Sequence, residues 1–168
     1  MGSCLSCINE ITLPINNSVN NTLSIPYGTE RKNLPRFTPN IRYGLVVDVY
    51  DGDTMTIAAR IPGDETVYQF QLRLRGIDCP EMTSKNPSEK AISLKAKEFV
   101  ISNVLDQIVR LEDVALDKYG RLLAFVLYGP HDSDLGGGLV ACRMAVAYDG
   151  RTKMCPKDWV KYYETGEK

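Results

Sequence analysis

Three runs of β-branched and aromatic residues between positions 43 and 76 constrain this chain more than any other feature. The runs YGLVVDVY (43–50), TMTIAAR (54–60) and TVYQFQLRLRG (66–76) are separated by DGD and PGDE, both of which are typical turn sequences. Apolar and polar residues alternate in the third run, so Arg73 and Arg75 lie on the face opposite the core. The pattern predicts a meander of three antiparallel strands.

A helix and two more strands are predicted after this meander. Asn86 has the character of an N-cap, with Pro87 at the first helical position, Glu89 three residues after the cap and apolar residues at helical spacing beyond it. Two strands, a short helix through LVACRMAVA and a last amphipathic turn follow at about 107–114, 121–128, 139–147 and 156–164. This order predicts an α+β, mainly β fold, a five-stranded OB-fold barrel with two to three helices.

The first 40 residues have a different character. MGSCLSC matches the M-G-x-x-x-[ST] pattern for N-myristoylation at Gly2, and Cys4 and Cys7 are placed to accept palmitate. Two acyl chains hold a protein stably on a membrane, whereas one binds only marginally. The following segment is rich in Asn, Ser, Thr and Pro without sustained periodicity. We therefore expect residues 1–40 to be an acylated anchor and flexible linker, and residues 41–168 to be the folded domain.

Composition narrows the classes of function. Twenty Lys and Arg against 21 Asp and Glu give a formal net charge of -1, so any phosphate binding must depend on a local cluster of cations. No run of about 18 apolar residues and no secretory signal pattern occurs. The five cysteines show no regular spacing that would indicate a disulfide framework. We expect a monomer, lipid-anchored at the cytosolic face of a membrane, with the plasma membrane as the first candidate.

Four carboxylates flank the predicted strands of the meander. Asp51 and Asp53 lie in its first turn, and Asp78 and Glu81 follow its third strand. Neighbouring strands bring these carboxylates to one end of the sheet, where they repel each other unless a cation lies between them. Carboxylates without a partnered histidine favour a hard ion, Ca²⁺ or Mg²⁺. An EF-hand loop starting at Asp51 is excluded, because Thr56 occupies the sixth position, where glycine is required.

Cations accompany these carboxylates. Arg73 and Arg75 lie in the third run, and DKYGR contributes Lys118 and Arg121. The planar fork of arginine bonds two phosphate oxygens at once. A metal ion, a carboxylate base and one or two arginines are sufficient for phosphodiester hydrolysis. The alternative, that these charges are solvated turn residues and surface ion pairs, stays open at this point.

The motifs VVDVYDGDTMTI, RLRGIDCPE and DKYGRLLAFV, with the weaker LVACRMAVAY, resemble the staphylococcal nuclease (thermonuclease) family over residues 43–148. The resemblance implies an OB fold and a Ca²⁺-dependent endonuclease that cleaves DNA and RNA with little sequence preference and leaves 3′-phosphates. Single-stranded DNA and RNA would be its substrates, with duplex DNA a further candidate. The rival hypothesis is a non-catalytic OB-fold module on a lipid anchor, which binds nucleic acid or protein without cutting.

The resemblance also implies a calcium site built from matched positions. Asp53 and Asp78 would supply carboxylate ligands to Ca²⁺, and the backbone carbonyl of Cys79 would supply a further oxygen. Asp51 would lie just outside this ligand set. Since these are few protein ligands for Ca²⁺, water molecules would complete its coordination.

Catalytic and substrate-binding roles follow from the same resemblance. Glu81 would be the general base that acts on the attacking water, and Arg73 and Arg121 would grip the scissile phosphate. The remaining substrate contacts would come from Lys118, Tyr119 and Tyr148. One position departs from the family pattern, because Arg143 stands where glycine is usual.

Overall fold

The computed structural model of the chain describes residues 11–12, 24–25, 28–150 and 154–168. The chain forms two compact units, Met1–Phe37 and Thr38–Lys168. In the first unit, strand β1 (Ile11–Thr12) pairs antiparallel with β2 (Ser24–Ile25), which the linker interpretation does not predict. A 3₁₀ turn covers Arg31–Asn33. The predicted acylation sites, Gly2, Cys4 and Cys7, lie outside the described residues.

Strands make up most of the second unit. Their bounds are β3 (Tyr43–Val49), β4 (Thr54–Arg60), β5 (Val67–Leu74), β6 (Ile77–Asp78), β7 (Ile108–Leu116), β8 (Leu122–Tyr128), β9 (Ser133–Asp134) and β10 (Val146–Ala147). The main sheet has the order β5-β4-β3-β7-β8-β9, and all its neighbouring strands are antiparallel. A parallel pairing of β5 with β8, with Leu72 opposite Leu122, closes the sheet. This closure confirms the predicted five-stranded barrel.

The alternation in the meander fixes which side chains fill this barrel. Met55, Ile57 and Ala59 of β4 are buried, while the intervening residues are only half-buried. Met55 lies opposite Leu72 of β5, and both are at most 1% exposed. Because a period of two places alternate residues on one face of a strand, the apolar set of each strand points inward. The polar set is left for the outer surface, which includes the candidate site.

Three helices pack on the barrel, α1 (Pro87–Val104), α2 (Leu135–Ala141) and α3 (Trp159–Thr165). The start of α1 is as predicted, because the Asn86 side chain accepts a hydrogen bond of 3.0 Å from the backbone N–H of Ser88. Ala96, Val100 and Val104 are completely buried and recur at helical spacing. Among the described residues, no helix is both long and apolar enough to cross a bilayer.

The prediction of a helix through residues 139–147 was wrong in its position. Helix α2 begins earlier, because the Asp134 side chain caps it at the N–H of Gly136, 3.0 Å away. It ends before Arg143, whose φ of 58° lies in the left-handed region that favours glycine. The Arg143 side chain also donates to the carbonyl of Glu164 at 2.9 Å. The departure from glycine therefore strains the backbone and fastens the end of α3 to the domain.

Candidate active site

One cavity of about 770 Å³ lies where the β3–β4 turn, the segment after β6 and the β7–β8 turn meet. Nine of the residues that the sequence singles out line it, namely Asp51, Asp53, Arg73, Cys79, Glu81, Lys118, Tyr119, Arg121 and Tyr148. Asp78, the tenth, is buried beneath it and bonds to Arg73. The structure thus brings together residues that are up to 97 positions apart in the sequence.

The β3–β4 turn holds Asp53 in place. The carboxylate oxygen Oδ1 of Asp51 accepts hydrogen bonds from the backbone N–H groups of Asp53 (3.0 Å) and Thr54 (2.7 Å). Between the two aspartates, Gly52 is packed so tightly that a Cβ there would lie 2.7 Å from the Ala96 Cβ. A side chain at position 52 would therefore push the turn away from α1. The Asp51 carboxylate therefore stabilises the β3–β4 turn.

Asp53 and Arg73, which line the cavity, form with the buried Asp78 a group that we call the floor. Arg73 Nη1 donates to Asp53 Oδ1, and Nη2 donates to Asp78 Oδ1 at 2.8 Å. Asp53 is 4% exposed and Asp78 is 2% exposed. Within the described residues, no three His, Cys, Asp or Glu side chains converge as a metal-binding group. The cation between the two carboxylates is the guanidinium itself.

Burial and charge shift the pKa values of the floor. Burial raises the pKa of Asp53, and the opposing attraction of Arg73 does not cancel this effect. Burial acts to lower the pKa of Arg73, but Asp53 and Asp78 outweigh it and raise that pKa. Burial also raises the pKa of the Cys79 thiol well above its ordinary value. The backbone N–H of Cys79 donates to Asp53 Oδ2 at 3.1 Å.

Glu81, the predicted base, lies in a loop that Glu89 holds in place, and no sequence pattern assigns Glu89 to the site. The backbone N–H of Glu81 donates to Oε1 of Glu89 at 3.0 Å, and Ser84 Oγ donates to Oε2 of Glu89 at 2.7 Å. Glu89 lies in the first turn of α1, where the sequence predicts a helix cap. The Glu89 carboxylate binds the 81–84 loop and so joins this loop to α1. The side chain of Glu81 is exposed at the cavity.

The β7–β8 turn, Asp117–Arg121, forms what we call the rim of the cavity. Asp117 Oδ2 accepts from Arg121 Nε at 2.7 Å, and its Oδ1 accepts from the backbone N–H groups of Tyr119 (2.8 Å) and Arg121 (3.0 Å). The Tyr119 ring is 73% exposed, with Lys118 Nζ at 4.9 Å and Arg121 Cζ at 5.6 Å from its centroid. The rim thus offers a flat aromatic surface flanked by two cations.

Three further residues complete the account of the site. Tyr148 reaches the cavity because its N–H donates to the carbonyl of Gly76 at 2.9 Å, just beyond the β6–β10 pairing. Arg75 does not join Arg73, since its Nη1 donates to the Asp113 carbonyl at 2.6 Å. The thiol of Cys155 donates to Asp78 Oδ2 at 3.6 Å, a contact that no local pattern indicates across 77 positions.

Comparison with known proteins agrees with this geometry. The family described as "Staphylococcal nuclease homologue" matches residues 71–167, more than half of the chain. The chain is similar to "Probable endonuclease C19F8.04c" of Schizosaccharomyces pombe, with 30% identity over 136 residues, 68% of this chain and 59% of that protein. It is also similar to "Endonuclease Htp3" of Saprolegnia parasitica (31% identity, 51% of this chain, 45% of that protein). "Thermonuclease" of Staphylococcus hyicus is 35% identical over 50% of this chain and 47% of its own length.

These matches cover only part of each relative. The chain spans about half the length of the curated relatives it matches, between 45% and 59% for the three above. The family match, in contrast, runs from β5 through α3, across the floor arginine, the rim and the loop of Glu81. The chain belongs to the staphylococcal nuclease homologue family.

Proposed function

We propose that this chain is an endonuclease that hydrolyses the phosphodiester bonds of DNA and RNA with little sequence preference. The reaction depends on Ca²⁺ and leaves 3′-phosphates, and N-terminal acylation tethers the enzyme to the cytosolic face of a membrane. Family membership and the endonuclease names of its relatives support the nuclease part. The observation that carries the proposal is one cavity lined by Arg73, Glu81 and Arg121 above a buried pair of carboxylates.

The side chains of the cavity suit phosphodiester hydrolysis. Glu81, exposed on its loop, accepts the proton of the attacking water. Arg73 and Arg121 donate to the phosphate oxygens as negative charge builds up on them. Lys118 and Tyr119, on the exposed rim, contact the adjoining part of the nucleic acid. These groups lie in a protein with a formal net charge of -1, so binding depends on this local cluster and weakens with added salt.

The donor set fits a hard divalent cation. The Asp53 and Asp78 carboxylates are buried and already hold one cation, the guanidinium of Arg73. With the backbone carbonyl of Cys79 they would hold Ca²⁺ through oxygen atoms, the ligands that this ion prefers. When bound, the ion supplies Lewis acidity toward a phosphoryl oxygen.

Cleavage of single-stranded DNA by the full chain tests the nuclease proposal, with millimolar Ca²⁺ and then with a chelator. We expect cutting that needs Ca²⁺ and leaves 3′ ends that phosphatase can convert to hydroxyls. Arg121→Ala should lower turnover about 100-fold or more, and Glu81→Gln by about 100-fold or more. The matched control is Arg110→Ala, because Arg110 pairs with Glu112 and Asp132 outside the cavity. Intact DNA with a folded wild-type chain would favour the non-catalytic binding module.

The membrane tether has its own test. It is supported by MGSCLSC, in which Gly2, Cys4 and Cys7 match acylation positions. Expressed in a eukaryotic cell, the wild-type chain should sediment with membranes, and Gly2→Ala should move it to the soluble fraction. Equal soluble fractions would remove the anchor from the proposal and leave the nuclease intact.

A further inference from the structure

The two floor carboxylates are already occupied by a cation that belongs to the chain. Arg73 spans them with two different nitrogens, Nη1 on Asp53 and Nη2 on Asp78, and its side chain is only 18% exposed. The three groups come from β5, the β3–β4 turn and β6, so the barrel holds them together. The guanidinium thus occupies the place between the carboxylates where a metal ion would bind.

The carboxylate oxygens of Asp53 and Asp78 all accept hydrogen bonds from other groups of the chain. Asp53 Oδ1 accepts from Arg73 and from Thr54 Oγ1 (3.0 Å), and Oδ2 accepts from the Cys79 N–H. On Asp78, Oδ1 accepts from Arg73 and Oδ2 accepts from the Cys155 thiol. Each of the four oxygens therefore has a donor in the chain. An ion that binds Oδ1 of Asp53 or Oδ1 of Asp78 has to share that oxygen with Arg73 or displace the guanidinium from it.

We infer that Arg73 is an internal competitor of the metal ion, displaced from Asp53 and Asp78 when the ion binds and thereby released to the phosphate of the nucleic acid. A guanidinium and a divalent cation at the same oxygens repel each other, and in a buried place water screens this repulsion weakly. The inference rests on the proposed calcium-dependent function.

A regulatory consequence follows from this competition. Without nucleic acid, calcium binds more weakly, because part of its binding free energy is used to move Arg73. A phosphate that accepts hydrogen bonds from the released Arg73 guanidinium replaces the two carboxylates that Arg73 has lost. The ion and the phosphate therefore each strengthen the binding of the other. The metal site thus stays weak until substrate is present.

Calcium titration of the full chain by isothermal calorimetry, without nucleic acid, tests the inference through a readout other than activity. Arg73→Gln removes the competing charge, and it should bind Ca²⁺ about 5- to 100-fold more tightly than wild type. The matched control is Arg75→Gln, two residues along and bonded to the Asp113 carbonyl, which should bind Ca²⁺ as wild type does. Equal or weaker affinity in a folded Arg73→Gln chain would overturn the inference.

Two additions separate the possible failures. Adding a short phosphorothioate oligonucleotide should tighten calcium binding in wild type and leave it unchanged in Arg73→Gln, and equal tightening in both would count against the inference. If Arg73→Gln does not fold, Arg73→Lys provides the test, because one ammonium group cannot span both carboxylates as the fork does. Lysine should then give an intermediate affinity, and wild-type affinity would overturn the inference. Absence of calcium binding in every variant, wild type included, would remove the calcium part of the proposed function as well.

Discussion

The floor and the rim each hold an arginine, and they hold it in different ways. Arg73 on the floor has partners 20 residues before it and 5 residues after it, and both are almost fully buried. Arg121 on the rim has its carboxylate partner only four residues earlier, within the same turn. The floor therefore exists only when the barrel closes, whereas the rim turn carries its own support. Changes to the floor should affect stability and metal binding together, and changes to the rim should affect mainly activity.

Removing the Asp53 carboxylate should have the largest effect on stability. Asp53→Ala leaves three donors without their acceptor, on Arg73, Thr54 and the Cys79 backbone. Breaking such a buried arrangement should lower the free energy of unfolding by about 3 kcal/mol, measured by urea denaturation. Calcium binding should be lost as well. The control change Asp64→Ala removes a half-buried turn carboxylate that accepts from Thr66 and Tyr68 and does not line the cavity. An equal loss of stability in Asp64→Ala would contradict the larger contribution expected of the floor.

The glycines of the two turns sharpen the comparison. Gly52→Ala places a Cβ 2.7 Å from the Ala96 Cβ and 2.8 Å from the Cys79 sulfur, so we expect a loss of about 1–3 kcal/mol in urea unfolding. The double variant with Ala96→Gly should lose less than the two single variants together, because the new methyl then finds space. Strict additivity would show that packing against α1 is not the cause.

Glycine is required in the rim turn for a different reason, its backbone conformation. Gly120 has a φ of +87° and open space around its Cβ position. An alanine there is strained by its backbone alone, so the cost should be about 1–2 kcal/mol. Gly120→Asn should recover most of it, since asparagine tolerates the left-handed region. At Gly52, asparagine should instead be worse than alanine, because it is larger.

Local patterns in the sequence predicted the main strands and the first helix, but not the hydrogen bonds between distant side chains. The turn chemistry of DGD, the Asn86 cap and the alternation in β4 act within a few residues, so they are visible in the sequence. The contact of Cys155 with Asp78 depends on the return of the chain after β10. No local sequence pattern predicts this contact. The predicted roles of the individual site residues stay predictions, while their placement around one cavity is now seen.

Replacing Asp117 on the rim should have a smaller effect, and this effect should be on activity. Asp117→Asn can still accept from the backbone of the turn, but its amide cannot pair with Arg121 as a carboxylate does. We expect kcat/KM on single-stranded DNA to fall about tenfold, the equivalent of one charge-assisted hydrogen bond. Asp132→Asn, which breaks an exposed pair with Arg110 outside the cavity, is the control and should leave kcat/KM unchanged. Equal losses in the two variants would mean that the rim pair has no special role.

The pH dependence of the same pair gives the smallest effect. Burial acts to raise the pKa of Asp117, but hydrogen bonds from the Arg121 guanidinium and from the backbone of Arg121 and Tyr119 hold it below its ordinary value. The unfolded value is about 3.9, so the pair stabilises the fold fully above that pH and loses its contribution as the pH falls through the folded value. The Tm difference between wild type and Asp117→Asn should therefore be constant, at about 2–4 °C, from near neutrality to about pH 5, and close below about pH 3.9. A difference that closes near neutrality would contradict the depressed pKa. The Asp117 carboxylate should thus keep Arg121 oriented from near neutrality down to about pH 5.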